Sequence, residues 1–319
     1  MTLPVALPGF DPALDEVAEA ILAADPTGRR TGNVMRQSFD QLYDGGRTGV
    51  YHVDQLSPTQ KTHLGTFVEV NMAKEFNFET VGVKFDYRIA GHDVDAKFSL
   101  SGGWMLPPEV IGHLCLVMQA SDDEARFDIG VVRASAEWLT AGGNRDKKVA
   151  LRAGHRDKIT WIHRGATMPP NVLATLARPD LDVILSKRSG QQKVNEVFRR
   201  APGRRISRAA IETLAMQRDP LKRVRRNGGA RTPLAKEGMI IMNGDYTWQR
   251  DIVEALGAEP PQDGEFVSLH ITPAEPGWTG PQTVIEGRAW RRGTPAEALA
   301  SASELPEVLQ KAGETDAGS

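Results

Sequence analysis

The chain has 319 residues, of which 40% are hydrophobic and 25% charged, with a net charge of −2 and a single cysteine, Cys115. That length gives one large or two ordinary domains with a real core, and the composition is that of a globular chain, not a disordered one. No apolar run reaches the roughly 18 residues of a membrane span, the N-terminal MTLPVALPGFDP lacks the pattern of a secretory signal, and one cysteine excludes an internal disulfide or a multi-cysteine zinc site, so a cytoplasmic protein is expected.

In chain order, a first helix is expected over Asp11–Ala24, with Asp11 as N-cap, Pro12 at the first helical position and Leu14, Val17, Ala18, Ile21 and Leu22 on one face. A second is expected over Asn33–Asp44, stopped by Gly45 and Gly46, and a third over Thr59–Phe76. Val81–Ile89 and His92–Leu100 alternate about Ala90-Gly91 and read as a hairpin. Gly102–Pro108 breaks the pattern. Ile111–Gln119 reads as a buried central strand, Asp128–Ala134 as another, and Ser135–Thr140 as the start of a short helix. This mixture points to an α/β domain.

The hairpin holds the most informative residues. A two-residue turn at Ala90-Gly91 places Asp86 directly opposite Asp95, with Cβ atoms roughly 5 Å apart. Lys97 projects on the same face as Asp95, while Val94, Ala96 and Phe98 face a core. Two opposed carboxylates repel unless one is protonated, a cation lies beside them, or a divalent metal bridges them. Hard oxygen ligands on paired strands suit Mg²⁺, with the Ala96 carbonyl as a further ligand and Lys97 beside the attacking water. The bland alternative is a solvent-facing strand on which Lys97 merely neutralises Asp95. Glu69, among Phe67, Val68 and Val70, either joins this site or lies at the helix edge in water.

Charge is unevenly spread. Residues 185–231 hold 14 Lys and Arg against three Asp and Glu, whereas 1–184 hold 19 against 24 and 232–319 hold six against 14. Such a basic block suits a polyanion. Within it, Gln191–Arg200 reads as a helix, Ser207 caps a second, and Asp219-Pro220 opens a third before Gly228-Gly229. Followed by a strand and turn over Gly238–Gly244, they fit a winged helix-turn-helix. The DNA-binding candidates are Arg199, Arg200, Arg204, Arg205, Arg208, Lys222, Arg223, Arg225, Arg226 and Arg231. A helical dimerisation module with a basic rim is the alternative.

The expected division is an α/β domain over 1–165, a linker over 166–187, a DNA-binding domain over 188–292 and a mobile tail over 293–319. The seven histidines form no H-x-x-x-H pair, and neither a G-x-S-x-G elbow nor a P-loop is present, which argues against zinc, esterase and nucleotide chemistry. His113 and Cys115 read as core residues, and Trp104 as part of a buried turn.

The chain resembles the NaeI-type restriction endonucleases, of the two-site type II class. The matching stretches run in order. They are Asp40-Gln-Leu-Tyr-Asp-Gly45, Lys61-Thr-His-Leu-Gly65 with Val68-Glu69, and Ile89-Ala-Gly91 leading to Val94-Asp95-Ala-Lys-Phe-Ser99. Further on come Trp104-Met-Leu-Pro-Pro-Glu109, Ile111-Gly-His113, Asn144-Arg-Asp146, Val194-Asn-Glu196 with Phe198-Arg-Arg200, Lys222-Arg-Val-Arg225 and Gly228-Gly-Ala-Arg231. The resemblance implies an N-terminal PD-(D/E)XK nuclease domain, a C-terminal helix-turn-helix like that of the catabolite activator protein, a homodimer, Mg²⁺, and two bound copies of the DNA site, one substrate and one effector. It implies catalytic roles for Asp86, Asp95, Lys97 and Glu69. A non-catalytic winged-helix regulator and a repair or nicking endonuclease on the same fold are the rival functions.

Overall fold

A computed structural model describes residues 11–82, 85–140, 148–217, 219–224 and 229–311. The chain divides into two compact units, one of Met1–Leu42 and Leu56–Pro170, the other of Tyr43–Gln55 and Asn171–Ser319. The short segment 43–55, which includes helix α3 (Gly45–Thr48), therefore belongs to the second unit although its sequence lies inside the first.

The first unit is a mixed sheet flanked by helices. Helix α1 (Pro12–Ala24) starts where expected, with the Asp11 carboxylate accepting from the Leu14 N–H. Helix α2 (Arg29–Tyr43) begins four residues before the sequence expectation, because the Asp25 carboxylate accepts from the N–H groups of Arg30 and Thr31 and caps it from a distance. Gly45 does not follow α2 as a stop but opens α3. Helix α4 (Pro58–Phe76) carries a Ser57–Gln60 capping box and ends on Asn77 in the left-handed region.

Five strands form the sheet in the order β1 (Tyr87–Ile89), β2 (His92–Ser99), β4 (Leu114–Ser121), β5 (Arg126–Arg133) and β7 (Thr160–Thr167), while β3 (Met105–Leu106) pairs with β6 (Val149–Ala150) in a small ribbon. Strands β2 and β4 are parallel and the other pairs in the main sheet are antiparallel. The hairpin register is the expected one, Tyr87 opposite Val94 and Ile89 opposite His92, around Ala90 and Gly91 at φ +50° and +83°. Residues 83–84 of the expected first strand lie outside the described residues. Ser135–Thr140 is not helical: Trp138 closes a turn and Leu139 bridges to Leu151.

In the second unit the expected linker is structured. Its residues form the end of β7 in the first unit, then α5 (Val172–Thr175) and α6 (Arg178–Leu185), whose Val172, Leu173, Leu181 and Ile184 enter a buried core with α7 (Gly190–Arg200) and α8 (Arg208–Ala215). Strand β8 (Ile206–Ser207) precedes α8, and Ser207 caps α8 as expected. Asp219 caps only a 3-10 turn, Pro220–Arg223; Arg225 and Arg226 lie outside the described residues. Helix α9 (Arg231–Ala235) leads to strand β9 (Met239–Asn243), and α10 (Thr247–Ala255) to an antiparallel set of β10 (Glu265–Pro273), β11 (Gln282–Ile285) and β12 (Arg288–Arg292).

Residues 293–311 of the expected mobile tail are folded, and 312–319 lie outside the described residues. Thr294 and Glu297 form a capping box on α11 (Pro295–Ala300), and Leu305 and Leu309 are buried beside Ile240, Met242 and Trp290. Small polar residues hid this segment, but two leucines suffice to anchor it. Leu305→Ala should lower stability by about 2–4 kcal/mol in urea unfolding; a loose tail would give no change.

Candidate active site

The hairpin and α4 converge on four ionisable side chains, all in the first unit. The Lys97 ammonium lies 2.7 Å from Asp95 Oδ2, 3.8 Å from Asp86 Oδ2 and 2.8 Å from the Ala96 carbonyl oxygen, to which it donates. Asp86 Oδ2 also accepts from the Ala96 N–H at 2.6 Å. Asp86 thus hangs on the backbone of the opposite strand, and the opposition expected from the turn register is realised through the peptide between Asp95 and Lys97.

Asp95 is buried, with a side chain only 6% exposed, whereas Lys97 and Asp86 reach solvent at one side. Burial pushes the Asp95 carboxyl up, against the hydrogen bond and charge of Lys97, which pull it down. Burial acts to lower the Lys97 ammonium, but its hydrogen bond to Asp95 and the charges of Asp95 and Asp86 outweigh it, and the net direction is up. Lys97 is therefore a held cation rather than a proton donor near neutrality.

Glu69 joins the cluster, so the choice left open by its spacing resolves toward the site. Partial burial raises its carboxyl to about 7, helped by the negative charge of Asp86 and the hydrogen bond it shares with Asp86. Its carbonyl oxygen accepts from the Tyr87 hydroxyl at 2.7 Å, which ties α4 to the hairpin. A cleft of about 330 Å³ lined by Glu69, Val70, Lys74, Phe78, Thr80, Asp86 and Tyr87 opens beside these carboxyls.

One participant was not foreseen. Parallel pairing of β2 with β4 sets Cys115 beside Asp95, and the buried thiol lies 3.8 Å from Asp95 Oδ2. Burial holds that thiol neutral, well above its ordinary pKa, so it is a weak donor. Residue type alone marks Cys115 as core; only the strand order brings it to Asp95.

Among the described residues no three His, Cys, Asp and Glu side chains are placed to hold a metal by themselves. The oxygens that converge here are two carboxylates and one peptide carbonyl, and all three already surround a single positive charge. Such hard donors fit a small divalent cation that keeps several waters.

The family model described as restriction endonuclease NaeI matches residues 15–301. A curated relative, the type II restriction enzyme NaeI of Lentzea aerocolonigenes, is 41% identical over 313 residues, covering 95% of this chain and 98% of the relative. The chain belongs to the NaeI restriction endonuclease family. As a family member it is an enzyme of the type II restriction class, and the mixed α/β unit that carries Asp86, Asp95 and Lys97 fits it.

The basic block behaves differently from a count along the chain. Arg199 pairs with Glu196 and Glu237, Arg200 with Glu196 and Asp180, and Arg205 with Glu259 and Glu265. Arg204 donates to the Thr175 carbonyl and hydroxyl, and burial lowers its guanidinium. Arg223 donates to Gln217. Arg231 is 7% exposed and pushed down to about 10 by burial. Arg208, paired with Glu212 but largely exposed, and exposed Lys222 point outward. Part of the local positive excess is thus neutralised by Asp180, Glu237, Glu259 and Glu265, which lie outside the block in sequence.

The raised Glu69 carboxyl gives a pH prediction. Its folded pKa of about 7 lies above the ordinary 4.5, so between those values the fold holds a proton that the unfolded chain releases. Its contribution is fully present below pH 4.5 and is lost as pH rises through about 7. Glu69→Gln should flatten that loss in melts of metal-free protein and stabilise it at pH 8. The effect should be on the order of 1 kcal/mol, because this half-exposed group is screened by solvent. A variant with the wild-type pH dependence would contradict the assignment.

Proposed function

We propose that this enzyme hydrolyses phosphodiester bonds of double-stranded DNA at a specific sequence, with a divalent metal, Mg²⁺, as cofactor. The observation that carries this reading is the convergence of the Asp86 and Asp95 carboxylates and the Ala96 carbonyl on one positive charge. Those three oxygens would hold the ion, which when bound polarises a phosphoryl oxygen and acidifies a coordinated water.

The chain's own residues do the rest. Lys97 leaves its resting contact with Asp95 and turns its ammonium toward the attacking water and a non-bridging phosphate oxygen, orienting the first and offsetting charge on the second. Glu69, with a carboxyl near 7, accepts a proton from that water. Asp95 stays fixed by burial on the sheet and by the Cys115 thiol. Water adds to phosphorus as the P–O3′ bond breaks, and the departing 3′ oxygen takes up a proton from solvent.

In this reading the enzyme acts as a homodimer. Its second unit carries a helix-turn-helix around α7 and α8 that binds a second duplex through Arg208 and Lys222, with Arg225 and Arg226 adjoining in sequence. Binding of that duplex favours the cleaving state through a coupling free energy between sites.

Purified protein with plasmid and Mg²⁺ should give discrete bands. Asp95→Asn should lower cutting by about a thousandfold or more while sparing DNA binding; a variant that still cuts would move the chemistry elsewhere. Lys97→Met should also stop cutting, yet bind Ca²⁺ at least as tightly as wild type, because the resident ammonium no longer competes for the same oxygens. Weaker Ca²⁺ binding, read by calorimetry, would show that Lys97 helps to build the ion site instead of filling it.

A further inference from the structure

A second basic surface lies in the first unit, and it is built differently from the 185–231 block. Register partners Asp95 with Cys115 and Lys97 with Val117 share one face of the sheet. On that face Cys115 and Val117 form a buried cluster with Trp104 and Ile159, against which Trp161 packs. The two indoles meet at 6.4 Å between ring centres. The Arg156 guanidinium lies over Trp104 at 5.4 Å, and that of Arg164 over Trp161 at 5.5 Å. Two arginines are thus stacked on a pair of touching tryptophans, on the face that carries the catalytic residues.

Both guanidiniums belong to exposed residues, as do Arg152 and Lys158. Among the described residues Arg152, Arg156 and Arg164 have no carboxylate partner, and Lys158 has only exposed Asp157 at 3.4 Å. Arg156 instead donates to the Gly102 carbonyl at 2.7 Å. Gly102 has φ +72°, and a side chain there would overlap the Arg156 guanidinium and the Gln119 carboxamide. Stacking on aromatic rings fixes an arginine's planar fork without neutralising it, which lowers the ordering entropy lost on binding a phosphate. Arg199, Arg200 and Arg205 show the opposite arrangement, with their charge spent on internal glutamates and an aspartate.

We infer that Arg156 and Arg164, flanked by Arg152 and Lys158, form a backbone clamp for the duplex that is cut, gripping phosphodiester groups beside the site of cleavage. The clamp rests on the nuclease reading of the Asp95 face and adds to it the surface that positions the substrate. It contacts phosphates and not bases, so it contributes affinity and register without sequence preference.

The test is equilibrium binding of a labelled duplex to the full chain in chelator, over a range of salt. Arg156→Gln combined with Arg164→Gln should weaken binding by about tenfold or more and reduce the slope of log affinity against log salt by about 2, since each lost phosphate contact removes about 0.9. The loss should be the same on duplexes with and without the cleavage site. Among the described residues the Arg152 side chain makes no hydrogen bond or ion pair, so Arg152→Gln should lower the slope by about one. Wild-type slopes in both variants would overturn the clamp, as would a slope change confined to variants that melt early. No metal or cutting enters this measurement, so a failure of the nuclease reading would appear in the plasmid assay and not here.

Discussion

The site depends on one interaction: a lysine ammonium held by two carboxylates and a peptide carbonyl on a sheet edge. Asp86 and Asp95 repel each other when both are ionised, and a cation between them offsets that repulsion. Lys97, 2.7 Å from Asp95 and 3.8 Å from Asp86, supplies that cation. The same ammonium marks where a positive charge is stabilised, which is why its contacts describe a cation site as well as an ion pair. Breaking the arrangement by removing Lys97 leaves buried Asp95 uncompensated, whereas replacing the ammonium with another cation does not.

The fold supplies the precision that such a cluster needs. The Ala90-Gly91 turn sets the hairpin register, and that register puts Asp86 against the Ala96 N–H. Strand β4, parallel to β2, buries Asp95 beside a neutral thiol. Helix α4 brings Glu69 to the rim, where the Tyr87 hydroxyl holds its carbonyl oxygen. Asp95 and Lys97 lie on β2 and Glu69 on α4, while Asp86, in the bend just before β1, is fixed by the Ala96 N–H, so the candidates are held rather than free, which is what reactive geometry demands.

The hairpin was legible in the sequence because period-two alternation and a two-residue turn determine register locally. Asp86, Asp95 and Lys97 could be placed together on that basis. Cys115 could not, since its meeting with Asp95 depends on a parallel pairing decided by the whole sheet. Strand β7 escaped notice because it is half-exposed along its length and bulged against β5, so it shows no alternation. Charge counting along 185–231 misread the arginines for a similar reason: Glu237, Glu259, Glu265 and Asp180 reach them only in three dimensions. The C-terminal helices went unseen because Ala298, Leu305 and Leu309 bury few atoms in a segment otherwise small and polar.

Crystals of the protein soaked in Mn²⁺ would test the central claim most directly, through the anomalous signal of the ion. A single peak per chain should appear between the Asp86 and Asp95 carboxylates and the Ala96 carbonyl, with the Lys97 side chain displaced from its contact with Asp95. A peak away from those three oxygens, or none there with Lys97 still seated on Asp95, would contradict it.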